Sequence, residues 1–163
     1  VSHGAIRHRV QTVVEEGRAK GKGNPPDVIE KVFRYVLEAR RKGSKIEVGE
    51  GHGFLGKLDG HLRPRFFCYA GWGTFTIMSN GRIMGCPAFD FPELNEGSLR
   101  ERGVDEIWRD GFGRFRETYM SDLPGKCKEC KYLEACRGGC WMHRVNGDFC
   151  YVDIADKVAE DML

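Results

Sequence analysis

The stretch CKECKYLEACRGGC, Cys127 to Cys140, followed after nine residues by Cys150, decides how this chain is read. Its spacing is Cys127-x2-Cys130-x5-Cys136-x3-Cys140. Two further cysteines, Cys68 and Cys86, complete a set of 7, all in the second half of the chain. An odd number of thiols cannot all pair as disulfides, and the Val-Ser-His-Gly start has no apolar stretch behind it, as a secretion signal would require. So many thiols in a chain expected to be cytoplasmic point to metal binding. Zinc wants four ligands at tetrahedral geometry, so seven thiolates overfill one zinc and leave three over. Two cubane clusters use up to about eight ligands, which seven nearly supplies. A zinc module remains the alternative. Gly125, Gly138, Gly139 and Gly147 lie among these cysteines. Bare backbone approaches cluster sulfides most easily and donates N–H bonds to them, so this stretch is expected to be mostly coil shaped by what it ligates.

Upstream, Thr74-Phe-Thr-Ile-Met78 and Arg82-Ile-Met84 flank Asn80-Gly81, the strongest short-range signal for a β-hairpin. Cys68 precedes the first arm and Cys86 ends the second, so a closed hairpin presents both thiolates to one ion or cluster. Residues 88–103 read as loop. Val104 to Met120 reads as a helical segment with Ile107, Trp108, Phe112 and Phe115 as its apolar side, and Asp153 to Leu163 as a short terminal helix.

Residues 7–15 alternate as a strand, and Gly17 to Pro26 is a loop by its glycine and proline content. Pro26 and Asp27 then open a helix with Val28, Val32, Val36 and Leu37 down one face and Arg40, Arg41 and Lys42 at its C-terminal end; Gly43 stops it. A short strand, Lys45-Ile-Glu-Val48, follows. The first third is therefore β–loop–α–β, a piece of a parallel α/β layer or barrel that cannot cover both faces of its own strands. Its partners are expected upstream, in keeping with the missing initiator methionine. The fold class is α+β.

The 163 residues suffice for one domain or two small pieces, and the 40% hydrophobic fraction marks a folded chain. A formal charge of +2, from 26 basic and 24 acidic side chains, is too balanced for a nucleic-acid binder. No run of about 18 apolar residues exists to span a membrane.

The seven cysteines in this order, Cys68-x12-Gly81-x4-Cys86, a gap, Cys127 to Cys140, a gap and Cys150, resemble the signature of the SPASM domain, the auxiliary iron–sulfur domain of radical SAM enzymes. Asn95-Glu-Gly-Ser-Leu99, Glu106-Ile-Trp108 and Phe115-Arg116 are similar to the family's bridging segment, and Cys136-Arg-Gly-Gly-Cys140 to its Cys-x-Gly-Gly-Cys core. The resemblance covers residues 68–150. It implies two auxiliary 4Fe–4S clusters, an outer one held by Cys127, Cys130, Cys136 and Cys150 and an inner one by Cys68, Cys86 and Cys140. Many members complete the inner site with an earlier cysteine; here Leu62 stands near that place, leaving His61, His52 or an open position. The resemblance further implies residues 1–61 as the end of a radical SAM barrel, 62–152 as the SPASM domain and 153–163 as a C-terminal helix. The Cys-x3-Cys-x2-Cys loop that holds the S-adenosylmethionine cluster is not in this sequence, so the chain is not expected to be catalytic alone. The implied partners are an upstream barrel, a peptide or protein substrate and a reductant protein. The clusters would relay electrons or anchor substrate.

Weaker signals have plainer readings. Gly51-His-Gly-Phe-Leu-Gly56 matches G-x-G-x-x-G, but Asp59-Gly60 and Pro64 interrupt the helix that a dinucleotide site needs. A loop at the carboxyl end of a barrel strand fits better, with Glu50 and His52 as cavity candidates. Arg18 ends a strand and is read as a solvated loop residue; Arg63 and Arg65, near Cys68, are read as solvated too. Trp108 reads as core, while Trp72 and Trp141 are candidates to stack on a peptide. Asp110, Glu117 and Asp122 show no pairing for acid–base work.

Overall fold

The computed structural model describes residues 4–13, 15, 17–88, 90–116, 123, 125–140 and 150–163. It has mixed helix and strand and divides into two compact units, Val1–Phe67 with Glu134–Leu163, and Cys68–Leu133.

The first unit contains the expected β–α–β. Strand β1 (His8–Val10) pairs in parallel with β2 (Ile46–Val48), His8 opposite Ile46 and Val10 opposite Val48. β1 is shorter than its alternating sequence suggests because its partner runs out: past Val48, Gly49 N–H closes on Val10 O at 2.8 Å and the ladder stops. Helix α1 (Pro26–Arg41) links the strands. Its C-terminus closes with Gly43 N–H on Arg40 O (2.9 Å) and Ser44 N–H on Ala39 O (2.9 Å), a Schellman motif. Gly43 takes the positive φ of 85° that this motif needs. The buried face of α1 is Ile29, Phe33, Val36 and Leu37. Val28 is 40% exposed, a correction to the sequence reading: it sits one residue, about 100° of helical turn, before Ile29 and so falls off the stripe.

Beyond β2 the chain makes two 3-10 turns, Glu50–His52 and Gly56–Leu58, then a one-turn helix α2 (Asp59–Leu62). Asp59-Gly60 thus permits one turn, and Arg63, extended ahead of Pro64, ends it. The long helix that a dinucleotide-binding G-x-G-x-x-G requires does not follow. Leu55, Leu58 and Leu62 join the apolar core with the α1 face, the strands and residues Tyr151, Ala155, Val158 and Ala159 from the C-terminal segment.

In the second unit the hairpin forms where expected. β3 (Thr76–Ile77) and β4 (Arg82–Met84) are antiparallel, and Gly81 turns at φ 88°. A third strand, β5 (Asn95–Ser98), lines β4 with Ile83 opposite Gly97. The sequence reading had loop here, since Asn-Glu-Gly-Ser carries no strand pattern. The pairing with β4 makes the strand, and Gly97 is demanded by Ile107, whose side chain stands 3.3 Å from where a Cβ would be. The expected helix from Val104 is broken into α3 (Val104–Asp110) and α4 (Gly113–Arg116). Phe112 sits at φ 66° in the break, its N–H donated to Glu96 Oε2 at 2.6 Å. Residues 117–120 of that expected helix lie outside the described residues. Ile107, Phe112 and Phe115 are buried as read, with Ile83, Met84 and Leu94. Trp108 is half-buried, its ring 5.2 Å from Phe112 and 5.7 Å from Phe75.

Among the described residues, three helices follow: α5 (Gly125–Lys128), α6 (Leu133–Cys136) and α7 (Val152–Met162). α7 is tied to α1 by Lys157–Glu30 (2.9 Å) and Arg34–Asp161 (2.5 Å).

Two packing results are expected. Phe33→Ala, at a site with 0% exposure, should lower unfolding free energy by about 3–5 kcal/mol. Val28→Ala should change it by less than about 0.5 kcal/mol, both read from urea denaturation. Gly85→Ala should cost about 1–3 kcal/mol, because the added Cβ would lie 2.2 Å from Phe115 Cε2. An equal effect at Val28 and Phe33, or a neutral Gly85→Ala, would contradict this packing.

Candidate metal centre

None of the seven cysteines is in a disulfide; six are half-buried and Cys150 is exposed. In the second unit, Cys68 is followed by a tight turn in which Tyr69 O accepts the N–H groups of Trp72 (3.0 Å), Gly73 (2.9 Å) and Thr74 (3.1 Å). Gly71, at φ 70°, backs onto the Cβ atoms of Phe115 and Phe112, and Arg116 Nε holds its carbonyl at 2.7 Å. The same Phe115 ring lies against Gly85, next to Cys86. The aromatic core of this unit therefore supports both the turn after Cys68 and the end of β4 before Cys86. The two thiols are electrostatic neighbours. Burial pushes the Cys86 thiol up, the Ala88 N–H works against this, and Cys68 raises it further.

Cys127 lies on α5, and Cys130 N–H returns to its carbonyl at 3.2 Å. Cys130 Sγ accepts the Tyr132 N–H at 3.5 Å. A backbone N–H two residues on thus donates to the Cys130 sulfur, an arrangement that stabilises a thiolate.

In the first unit, Cys136 ends α6 and its carbonyl accepts Gly139 N–H at 2.9 Å. Arg137, Gly138 and Gly139 run through left-handed backbone at φ 51°, 82° and 67°. Gly139 stands beside Cys136, where a Cβ would be 3.5 Å from Sγ. Cys140 and Cys150 belong to the same unit. Among the described residues, no three His, Cys, Asp or Glu side chains gather closely enough to hold a single ion. The thiol donor set, with an N–H donated to the Cys130 sulfur, fits iron–sulfur ligation.

The other candidates fall elsewhere. His52 is a core histidine at 2% exposure, its ring 5.6 Å from Phe33 and 5.9 Å from Tyr151, with Nδ1 3.2 Å from Gly49 O. His61 is exposed on α2, its carbonyl held by Arg40 Nε at 2.8 Å. Glu50 pairs with Arg9 at 3.1 Å; Arg18 and Arg65 are exposed. Arg63 corrects the sequence reading, because it is 4% exposed and ion-paired with Asp59. The spacing of Asp59 and Arg63, four apart across a single helical turn, was the signal for that pair. Trp72 is partly exposed, with Nε1 donating to Phe115 O at 2.8 Å. Asp110 pairs with Arg102 and Arg109. Trp141, Glu117 and Asp122 lie outside the described residues. The N–H donors of Ala88 and Tyr132 had no sequence signal, since any residue but proline supplies one.

Comparison with known proteins agrees with this donor set. The sequence model of the SPASM family, an iron–sulfur cluster-binding domain, matches residues 68–131. Mycofactocin maturase MftC of Mycobacterium ulcerans is 28% identical over 102 residues, 61% of this chain and 27% of that protein. AdoMet-dependent heme synthase of Methanosarcina barkeri is 28% identical over 109 residues, 65% of this chain and 28% of that protein. PqqA peptide cyclase of Xanthomonas oryzae pv. oryzae is 36% identical over 78 residues, 45% of this chain and 20% of that protein. The matched part of this chain spans between a fifth and a third of the length of these relatives. A solved structure of anSMEcpe with bound AdoMet superposes at a TM-score of 0.55 with 17% identity, covering 93% of this chain and 44% of that one, which is a likeness of fold. Among the described residues no helix is long and apolar enough to cross a membrane. Residues 68–131 thus match the SPASM iron–sulfur cluster-binding domain, and the proteins this chain is similar to include a mycofactocin maturase, an AdoMet-dependent heme synthase and a PqqA peptide cyclase.

Proposed function

We propose that this chain holds two auxiliary 4Fe–4S clusters within a radical SAM enzyme that modifies a peptide or protein. The observation that carries this reading is a set of seven cysteines outside any disulfide, four of them inside the SPASM match, with a backbone N–H donated to the sulfur of Cys130. The proposed inner ligands are Cys68, Cys86 and Cys140, and the outer ligands Cys127, Cys130, Cys136 and Cys150. The fourth inner position falls to substrate, water or His61, because the His52 ring is packed in the apolar core. Bound clusters supply one-electron transfer or a coordination point for substrate. The chain's own part is to hold the thiolates and to set their environment. Burial disfavours the more charged cluster states, and the Tyr132 N–H stabilises negative charge on the Cys130 sulfur.

Residues 1–61 are proposed as the last part of a radical SAM barrel, 62–152 as the cluster-binding region and 153–163 as a terminal helix. The parallel β1–α1–β2 unit and the fold likeness to anSMEcpe support this division. The chain has no Cys-x3-Cys-x2-Cys loop, so S-adenosylmethionine and the radical step belong to the barrel, with electrons from a reductant protein. A peptide or protein substrate is favoured by the relatives' names, a peptide cyclase and a maturase, and by anSMEcpe solved with a peptide at a TM-score of 0.50.

Paired variants test the ligand sets. After anaerobic reconstitution and reduction, Cys130→Ala is expected to erase one EPR species and leave the other, and Cys86→Ala to do the reverse. Loss of both species in each variant, or of neither, would contradict two separate sites.

A further inference from the structure

The most buried charged pair among the described residues has no part in the ligand sets above. Asp59 and Arg63, both 4% exposed, meet across the single turn of α2. Arg63 Nε and Nη2 reach Asp59 Oδ1 at 3.1 and 2.5 Å, Nη1 donates to Gly49 O at 2.7 Å, and Nη2 also donates to Gly53 O. Asp59 Oδ1 further accepts Leu55 N–H at 3.2 Å, and Oδ2 accepts Phe66 N–H at 2.9 Å. The guanidinium also stacks 4.9 Å from the centre of the Phe66 ring.

A buried ion pair is a poor way to fill a core, since an apolar pair of the same volume often serves stability as well. What a guanidinium–carboxylate pair adds is direction: fixed donors and acceptors aimed at particular backbone atoms. Here those atoms lie on two segments. One is the loop Gly49–Gly53 at the carboxyl end of β2, where ligands of parallel α/β layers bind. The other is Phe66, two residues before Cys68 along the chain. Gly53 takes a positive φ of 64° and its carbonyl accepts Arg63 Nη2.

We propose that Asp59 and Arg63 are a positioning pair for the inner cluster: together they fix the chain that enters Cys68 and the loop that ends β2. This rests on the two-cluster reading given above. Neither residue touches iron; each acts through backbone it holds. Lysine in place of Arg63 keeps the charge but loses the planar fork, so it can satisfy Asp59 and only part of the carbonyl set.

The test uses the full chain, reconstituted anaerobically with iron and sulfide, as wild type, Arg63→Met, Arg63→Lys and Asp59→Asn. Two readouts are taken: iron per chain with the EPR spectrum, and amide hydrogen exchange at Leu55, Phe66 and the amides of α1. Arg63→Met is expected to lose the inner species, retain the outer one and fall to about four irons per chain. Exchange at Leu55 and Phe66 should accelerate about tenfold or more, with α1 unchanged. Arg63→Lys should recover part of the inner signal, and Asp59→Asn should behave like Arg63→Met. Both species retained in Arg63→Met and Asp59→Asn would overturn the proposal, whatever the exchange rates. So would loss of both species together with α1 protection, which would make the pair a general support of the core. Wild type that takes up no iron would overturn the two-cluster reading and this proposal with it, a result distinct from loaded wild type with unaffected variants.

Discussion

Thiolates held near one another repel, and in a half-buried site the repulsion is large. At an effective dielectric of about 20, two unit charges 4 Å apart interact with about 4 kcal/mol. Cys68 already raises the Cys86 thiol, and burial raises it more. This is the constraint on which the arrangement of the second unit turns. The tight turn after Cys68 and the end of the hairpin before Cys86 rest on one Phe112–Phe115 core, and on the proposed reading a bound cluster would couple ligation to folding.

The packing that imposes this is simple. Phe115 fills the space between Gly71 and Gly85, and neither glycine can carry a side chain without moving that ring or the Cβ atoms of its neighbours. One ring therefore sets the backbone on both sides of the Cys68–Cys86 pair. In the first unit the corresponding work is done by α1, whose buried stripe lies against the strands and the C-terminal residues. The left-handed run from Arg137 to Gly139 then turns the chain tightly between Cys136 and Cys140. An arginine there costs about 1–2 kcal/mol over glycine.

The likeness to a SPASM domain was legible in the sequence because cysteine spacing is a local pattern. So were the hairpin, announced by Asn80-Gly81, and α1, announced by Pro26 at one end and Gly43 at the other. What escaped depended on partners distant along the chain. β5 has no strand pattern of its own and exists because β4 supplies its hydrogen bonds. The break at Phe112 is held by Glu96, sixteen residues earlier. Val28 and Ile29 are both apolar and adjacent, and only the position of the core chooses between them. Arg63 looked like a solvated charge because nothing local says that Gly49 and Gly53 turn their carbonyls toward it.

The central claim is that these seven thiols hold iron–sulfur clusters and not zinc. Iron, acid-labile sulfide and zinc per chain after anaerobic reconstitution test it most directly. Two clusters predict about eight irons with equal sulfide and negligible zinc. One or two zincs per chain with no stable iron would contradict the account.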